Sequence, residues 1–140
     1  MLISDILRTK GADVTTVPPS TSLLEVIHVL TTRRIGAVVV SPDGGEVVGI
    51  LSERDVVAAL ATHDLRGTTA EDIMSTEVIT AVPDEDLETL AATMTDRRVR
   101  HLPVVVDGRL AGIVSIGDVV KARLTELQDE RDHLVGYLHG

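Results

Sequence analysis

Apolar residues in this chain come in two arrangements, spaced sets and unbroken runs, and the two alternate along its length. Leu23, Leu24, Ile27 and Leu30 recur at the interval of one helical face, and Leu87, Leu90 and Met94 do the same further on. Ser22 and Glu25 make a capping box ahead of the first set, and Asp86 stands in the capping position of the second. The unbroken runs, VVV at 38–40 and LPVVV at 102–106, each lead through Asp-Gly into VVGILS or LAGIVS, which predicts two β-hairpins. Short β-branched stretches, Val14–Val17 and Val78–Ala81, stop close to Pro18 and Pro83, residues that cannot extend a sheet ladder. GILSERDVV (49–57) and GIVSIGDVV (112–120) then carry the last strand of each hairpin into a helix. The predicted order is strand, helix, strand, strand, helix, and it occurs twice.

The repetition reaches beyond local pattern. Gly112 lies 63 positions after Gly49, and further back the offset becomes 64, so that IGAVVV (35–40) lies over VRHLPV (99–104), Arg33-Arg34 over Arg97-Arg98, and VTTVPP (14–19) over VITAVP (78–83). At the front, Asp5-Ile6-Leu7 resembles Asp72-Ile73-Met74. The chain is therefore expected to be an α/β (α+β) protein of two pseudo-twofold-related units, 1–66 and 67–124, followed by a helical extension, 125–140. A unit of about sixty residues buries a modest share of its surface alone, so the two should pack on each other. In the extension Leu124, Leu127, Leu134, Val135 and Leu138 recur among charges as one long stripe, which calls for cover from the body of the chain or from a second subunit.

Composition narrows the function. The 140 residues suit one compact module and contain no apolar run long enough to span a membrane. MLISDILRTK lacks the basic start and apolar core of a signal peptide, and the chain has no cysteine, so a cytoplasmic location is expected, without disulfides or thiolate metal sites. A net charge of −9 repels polyanions, and the absence of Trp and Phe removes stacking platforms, so nucleic acid is not an expected partner. Any bound base must lie between aliphatic side chains.

The repeated phrase carries the candidate chemistry. Ser52-Glu-Arg-Asp55 and Ser115-Ile-Gly-Asp118 fit a helix cap, and a helix start is also a favourable place for phosphate. Asp55 or Asp118, as acceptor-only groups, suit a vicinal diol such as ribose. Arg100 and His101 before the LPVVV strand, Arg54 in the first phrase and Lys121 after the second supply cations for phosphate oxygens. The first copy has Gly36-Ala37 where the second has Arg100-His101, which predicts two unequal sites. His28, His63, His133 and His139 lack metal-ligand spacing, and neither a nucleophile motif nor a phosphate-binding glycine loop is present, so no metal site and no catalysis are expected.

With this order of elements written twice and G-h-x-S-x-x-D closing each copy, the chain resembles a tandem pair of cystathionine-β-synthase (CBS) domains, a Bateman module, of the free-standing bacterial type. The likeness covers nearly the whole chain. It implies two clefts between sheet-packed copies, a homodimer, and binding of an adenosine-containing nucleotide, AMP, ADP, ATP or NAD, by a non-enzymatic module that signals to a regulated protein by changing shape. Carried over residue by residue, it implies that Asp55 and Asp118 hold ribose hydroxyls, that Ser52 and Ser115 meet phosphate or ribose, and that Arg100 and His101 meet phosphate. Thr16 and Thr80 would line the adenine pocket with Ala37, Val38, Leu102 and Pro103. Val39 stands where the second copy has Pro103, and Gly45 lengthens one hairpin. Some such pairs serve mainly as dimerisation modules, so a ligand-free scaffold is the alternative reading.

Overall fold

A computed structural model describes residues 1–139. The first copy consists of α1 (Ile3–Lys10), β1 (Thr16–Val17), α2 (Leu23–Arg33), β2 (Ala37–Val40), β3 (Gly49–Ser52) and α3 (Glu53–Ala59). The second consists of α4 (Ala70–Ile73), α5 (Leu87–Arg97), β4 (His101–Val106), β5 (Arg109–Ser115) and α6 (Ile116–His139). Both expected hairpins are present: β2 pairs antiparallel with β3, and β4 with β5. Asp107 (φ 52°) and Gly108 (φ 77°) give the second hairpin two left-handed central residues, the turn whose twist suits two strands. Helix starts follow their caps. The Ser22 hydroxyl accepts from the Glu25 N–H at 3.1 Å and the Asp86 carboxylate from the Thr89 N–H at 2.7 Å. The Glu25 side chain makes no return bond, so the first cap is one-sided.

Two features depart from the expected order. The opening strands shrink: β1 keeps two residues parallel to β2, and of Val78–Ala81 only Ala81 bridges, to Val104. A short helix also heads each copy, and these helices are exchanged. Near α1, the Ile3 and Ser4 N–H groups donate to the Glu85 and Pro83 carbonyls, both at 2.9 Å, and Ile3 and Ile6 join the core of Leu87, Leu90, Leu102, Val104 and Val114. Around α4, the Ala70 and Glu71 N–H groups donate to the Thr21 and Pro19 carbonyls, and Ala70 joins the core of Leu23, Val26, Val38 and Leu51. Each core is thus completed by a helix from the other copy's stretch of chain.

The glycine that opens the repeated phrase has its reason here. A Cβ on Gly112 would lie 2.8 Å from Leu7 Cδ2, and one on Gly49 would run into the Met74 side chain. Leu7 and Met74 are the equivalent residues of the two exchanged segments, and only a bare backbone lets them lie on the sheet. The longer first hairpin has a role of its own. Asp43 accepts from the Gly45 and Glu46 N–H groups and from Arg109 at 3.1 Å, which hold its carboxyl well below the usual carboxylate range, while the Leu110 N–H donates to the Gly45 carbonyl. The extra residue latches one copy to the other.

Beyond Ala122, α6 projects from the body. Leu124, Leu127, Leu134 and Leu138 are 46–77% exposed, so the chain's own body does not cover the apolar stripe. No described helix is long and apolar enough to cross a membrane.

Candidate functional site

A cleft of about 610 Å³ opens between the copies. One wall is the end of β3 and the start of α3, with Ile50, Ser52, Glu53, Arg54 and Asp55. The other is the entry to β4, with Arg98, Val99, Arg100 and His101, and the strand-like segment that leaves α4 crosses between them with Ser75, Glu77, Val78 and Ile79. That segment is held to the edge of β3 by a reciprocal pair of bonds between Ile50 and Ser75, both 3.0 Å.

Asp55 is half-buried. Its Oδ2 accepts from the Ser52 N–H and from the Ser52 hydroxyl, both at 2.9 Å, while the Ser52 Oγ accepts in turn from the Asp55 N–H at 3.3 Å. The capping reading of the phrase is therefore realised, and it uses only one carboxylate oxygen. Oδ1 has no protein partner among the described residues. The cap also engages the Ser52 hydroxyl as donor and acceptor, and the Glu53 N–H donates to the Gly36 carbonyl at 3.0 Å, so two of the first N–H groups of α3 are spent within the protein. A helix start engaged in this way leaves anion recognition chiefly to cationic side chains.

They are close by. Arg54, Arg98 and Arg100 line the cleft, and none is in an ion pair among the described residues. Three arginines against Glu53, Asp55 and Glu77 make the cleft walls charge-balanced in a chain of net charge −9. His101 differs from its expected part as a cation. Its ring lies over Gly36, where a Cβ would come within 3.0 Å of Nε2, and burial pushes its pKa down in spite of Glu53, which favours the neutral imidazole. As a neutral imidazole it offers one donor and one acceptor.

Of the residues singled out from the sequence, Ser52, Arg54, Asp55, Arg100 and His101 meet in this cleft. Val38 and Leu102 do not. Both are buried in the helix-facing cores, because alternate strand residues point to opposite faces. Ala37 and Pro103, one residue along, are buried outside those clusters, Thr16 is half-buried in β1 and Thr80 is exposed; none of the four walls the cleft. Its apolar walls are instead Ile50, Val57, Val78, Ile79 and Val99, none of which the sequence singled out for the site.

Ser115 and Asp118 repeat the cap, with the Ser115 N–H donating to Asp118 Oδ2 at 2.8 Å and the Asp118 N–H to Ser115 Oγ at 3.2 Å. Here the carboxylate has a cation as well: Lys10 Nζ donates to Oδ2 at 2.7 Å and to the Ile113 carbonyl at 2.9 Å. Burial would raise the Asp118 pKa, but Lys10 and the Ser115 N–H outweigh it and hold the carboxyl below its usual range.

The CBS domain model matches this chain twice, over residues 3–62 and 70–125. The chain belongs to the CBS-domain family. It is 34% identical to the CBS domain-containing protein CBSX3, mitochondrial, of Arabidopsis thaliana, over 99% of this chain and 72% of that protein. It spans 39% and 57% of two longer relatives. Among solved structures, the CBS-domain containing protein ATU1752 from Agrobacterium tumefaciens superposes with a TM-score of 0.84 at 43% identity, over 88% of this chain and 99% of that one. The CBS domain pair of protein MJ0100, solved in complex with 5'-methylthioadenosine and S-adenosyl-L-methionine, superposes with a TM-score of 0.80 at 30% identity, over 90% of this chain and 98% of that one.

Proposed function

We propose that this CBS pair is a non-catalytic, cytoplasmic regulatory module that binds an adenosine-containing nucleotide, AMP, ADP, ATP or NAD, in the Asp55 cleft. The observation that carries the reading is a carboxylate with one oxygen that has no protein partner among the described residues, beside Arg54 and facing Arg98 and Arg100 across an aliphatic gap, none of the three arginines being in an ion pair among those residues. Asp55 Oδ1 takes the ribose hydroxyls, Ile50, Val78, Ile79 and Val99 flank the base, and Arg54, Arg98 and Arg100 take phosphate. The adenosine ligands of the MJ0100 pair support the nucleoside half of the assignment, and the arginines support the phosphate half. A ligand shifts a conformational equilibrium only by binding one arrangement better than another. Phosphate does so here by drawing Arg54 of one copy toward Arg98 and Arg100 of the other, and a regulated protein reads the closure.

The exposed stripe of α6 supports a second element, a homodimer built on that helix. It also keeps the ligand-free scaffold as the competing reading. Calorimetric titration with AMP, ATP, NAD and S-adenosylmethionine separates the two. A hydrogen-bonded charge contributes about 1.5–3 kcal/mol, so Asp55→Ala is expected to weaken nucleotide binding about tenfold or more. A nucleotide at about 100 times its Kd adds about 2.7 kcal/mol of stability, and no stabilisation by any of the four would leave the scaffold reading in its place.

A further inference from the structure

The outward face of α6 has an order of its own. Val120, Leu124, Leu127, Arg131, Leu134 and Leu138 follow one another at alternating intervals of four and three residues, the seam spacing of two packed helices. At about 100° per residue the six lie within about 80° of one another, on the side of the helix opposite the buried Ala122. The five apolar members are 46–77% exposed and the Arg131 side chain 68%. Intervals that alternate in this way read the same from either end, so a second copy of the stripe can be laid on the first in either direction. The charged residues choose between the two. Parallel, Arg131 would face Arg131 of the second copy inside the seam, which is repulsive, and the flanking Arg123 and Glu130 would stand beside Gln128 and Val135 of the second copy. Antiparallel, with Leu124 against Leu134, Val120 falls against Leu138 and Arg131 against Leu127, where its stem covers the leucine while the guanidinium reaches water. In that register Arg123 falls beside Glu130 of the second copy, twice by symmetry. Glu130 is in no ion pair among the described residues, and Arg123 has only Glu126 of its own helix, at 3.6 Å.

We propose that the occupant of the α6 stripe is α6 of a second copy, running antiparallel and set in register by Arg123 and Glu130. This rests on the homodimer reading above and gives it a direction. Val119 and Ala122 anchor the start of the helix in the second core, so the stripe is presented outward before any partner arrives. With Val120 against Leu138, the two Val120 residues stand about 27 Å apart along the helix axis. The two bodies are therefore carried at opposite ends of the helix pair.

The chain has no cysteine, so an introduced thiol is the only one present. Leu124→Cys and Leu134→Cys are made separately in the full chain, at exposed positions, and checked by thermal unfolding. Each variant, and an equilibrated mixture of the two, is oxidised at a concentration where sedimentation shows a dimer, and the joined peptides are mapped by mass spectrometry. The expected result is position 124 joined to position 134 in the mixture, with neither variant joined to itself. Two copies of position 124 would stand about 15 Å apart along the axis, and a disulfide needs Cα atoms within about 7 Å. A second arm leaves the apolar seam intact. Arg123→Glu and Glu130→Arg should each weaken the dimer about tenfold, by turning two opposite-charge contacts into like-charge ones, and the variant carrying both should return to within about threefold of the wild type. Each thiol variant joined to itself, with no rescue by the double charge exchange, would overturn the antiparallel register and leave the homodimer standing. A dimer with no joined thiols and no response to either charge change would move the contact off α6 and overturn the proposal. A wild-type chain that stays monomeric at every concentration would overturn the homodimer reading and the proposal together.

Discussion

Replacing Ile3 by Ala tests the exchanged architecture, because Ile3 is fully buried yet sits in the core of the copy it does not belong to in sequence. The substitution removes three carbons, worth about 0.8 kcal/mol each in transfer, or about 2.4 together. The cavity left by incomplete collapse raises the expected loss to about 3–4 kcal/mol, inside the range of about 2–5 for such truncations. Urea denaturation reads the loss, and a double-mutant cycle reads its address. Leu51 and Val114 occupy the same place in the two copies and are both fully buried. Ile3→Ala should be non-additive with Val114→Ala by about 0.5 kcal/mol or more, and additive with Leu51→Ala within about 0.3–0.5. If the doubles unfold outright, Ile3→Val, costing about 1 kcal/mol, serves in the same cycle. Coupling to Leu51 in place of Val114, or a single-variant loss below about 1 kcal/mol, would refute the exchange.

Gly49→Ala should cost about 1–3 kcal/mol by overpacking. Gly112→Ala should cost less, because the Leu7 methyls at 2.8 and 2.9 Å can turn aside whereas Met74 meets the new Cβ as far back as its own Cβ at 3.1 Å; urea midpoints give the order. The Asp118 pKa is lowered on folding, so its contribution to stability is present above the unfolded value near 3.8 and is lost as pH falls through the folded value. The stability gap between wild type and Lys10→Met should therefore be present at neutral pH and close below pH 3.8, as followed by thermal unfolding across an acid series. Leu124→Glu with Leu127→Glu should convert a dimer to monomer in analytical ultracentrifugation with little change in the Tm of the monomeric body, since both side chains are about half exposed.

The sequence was most legible where one residue has one reason. The Asp-Gly turn, the Asp86 cap and the Ser-x-x-Asp boxes are local devices, and all are found where the pattern put them. Partner choice was not legible. Ile3 and Ile6 in a helix of eight residues show too little periodicity to name a face, and nothing local says which of two near-equivalent cores they complete. The face of Val38 and Leu102 was hidden for another reason, since a strand apolar on both sides shows no alternation to read. Lys10 stands in the last turn of α1, where any cation suits the helix dipole, so its position alone names no partner. Its contact with Asp118, 108 positions away, exists only once α1 has crossed to the other half.

That crossing also sets an order for synthesis. A chain emerging from the ribosome makes α1 well before its partner strand, residues 109–115. The first copy itself stays open until residues 70–74 arrive to close it. The first half is not finished when its own sequence ends, and Ile3, Ile6 and Leu7 wait without their partners until the second hairpin exists.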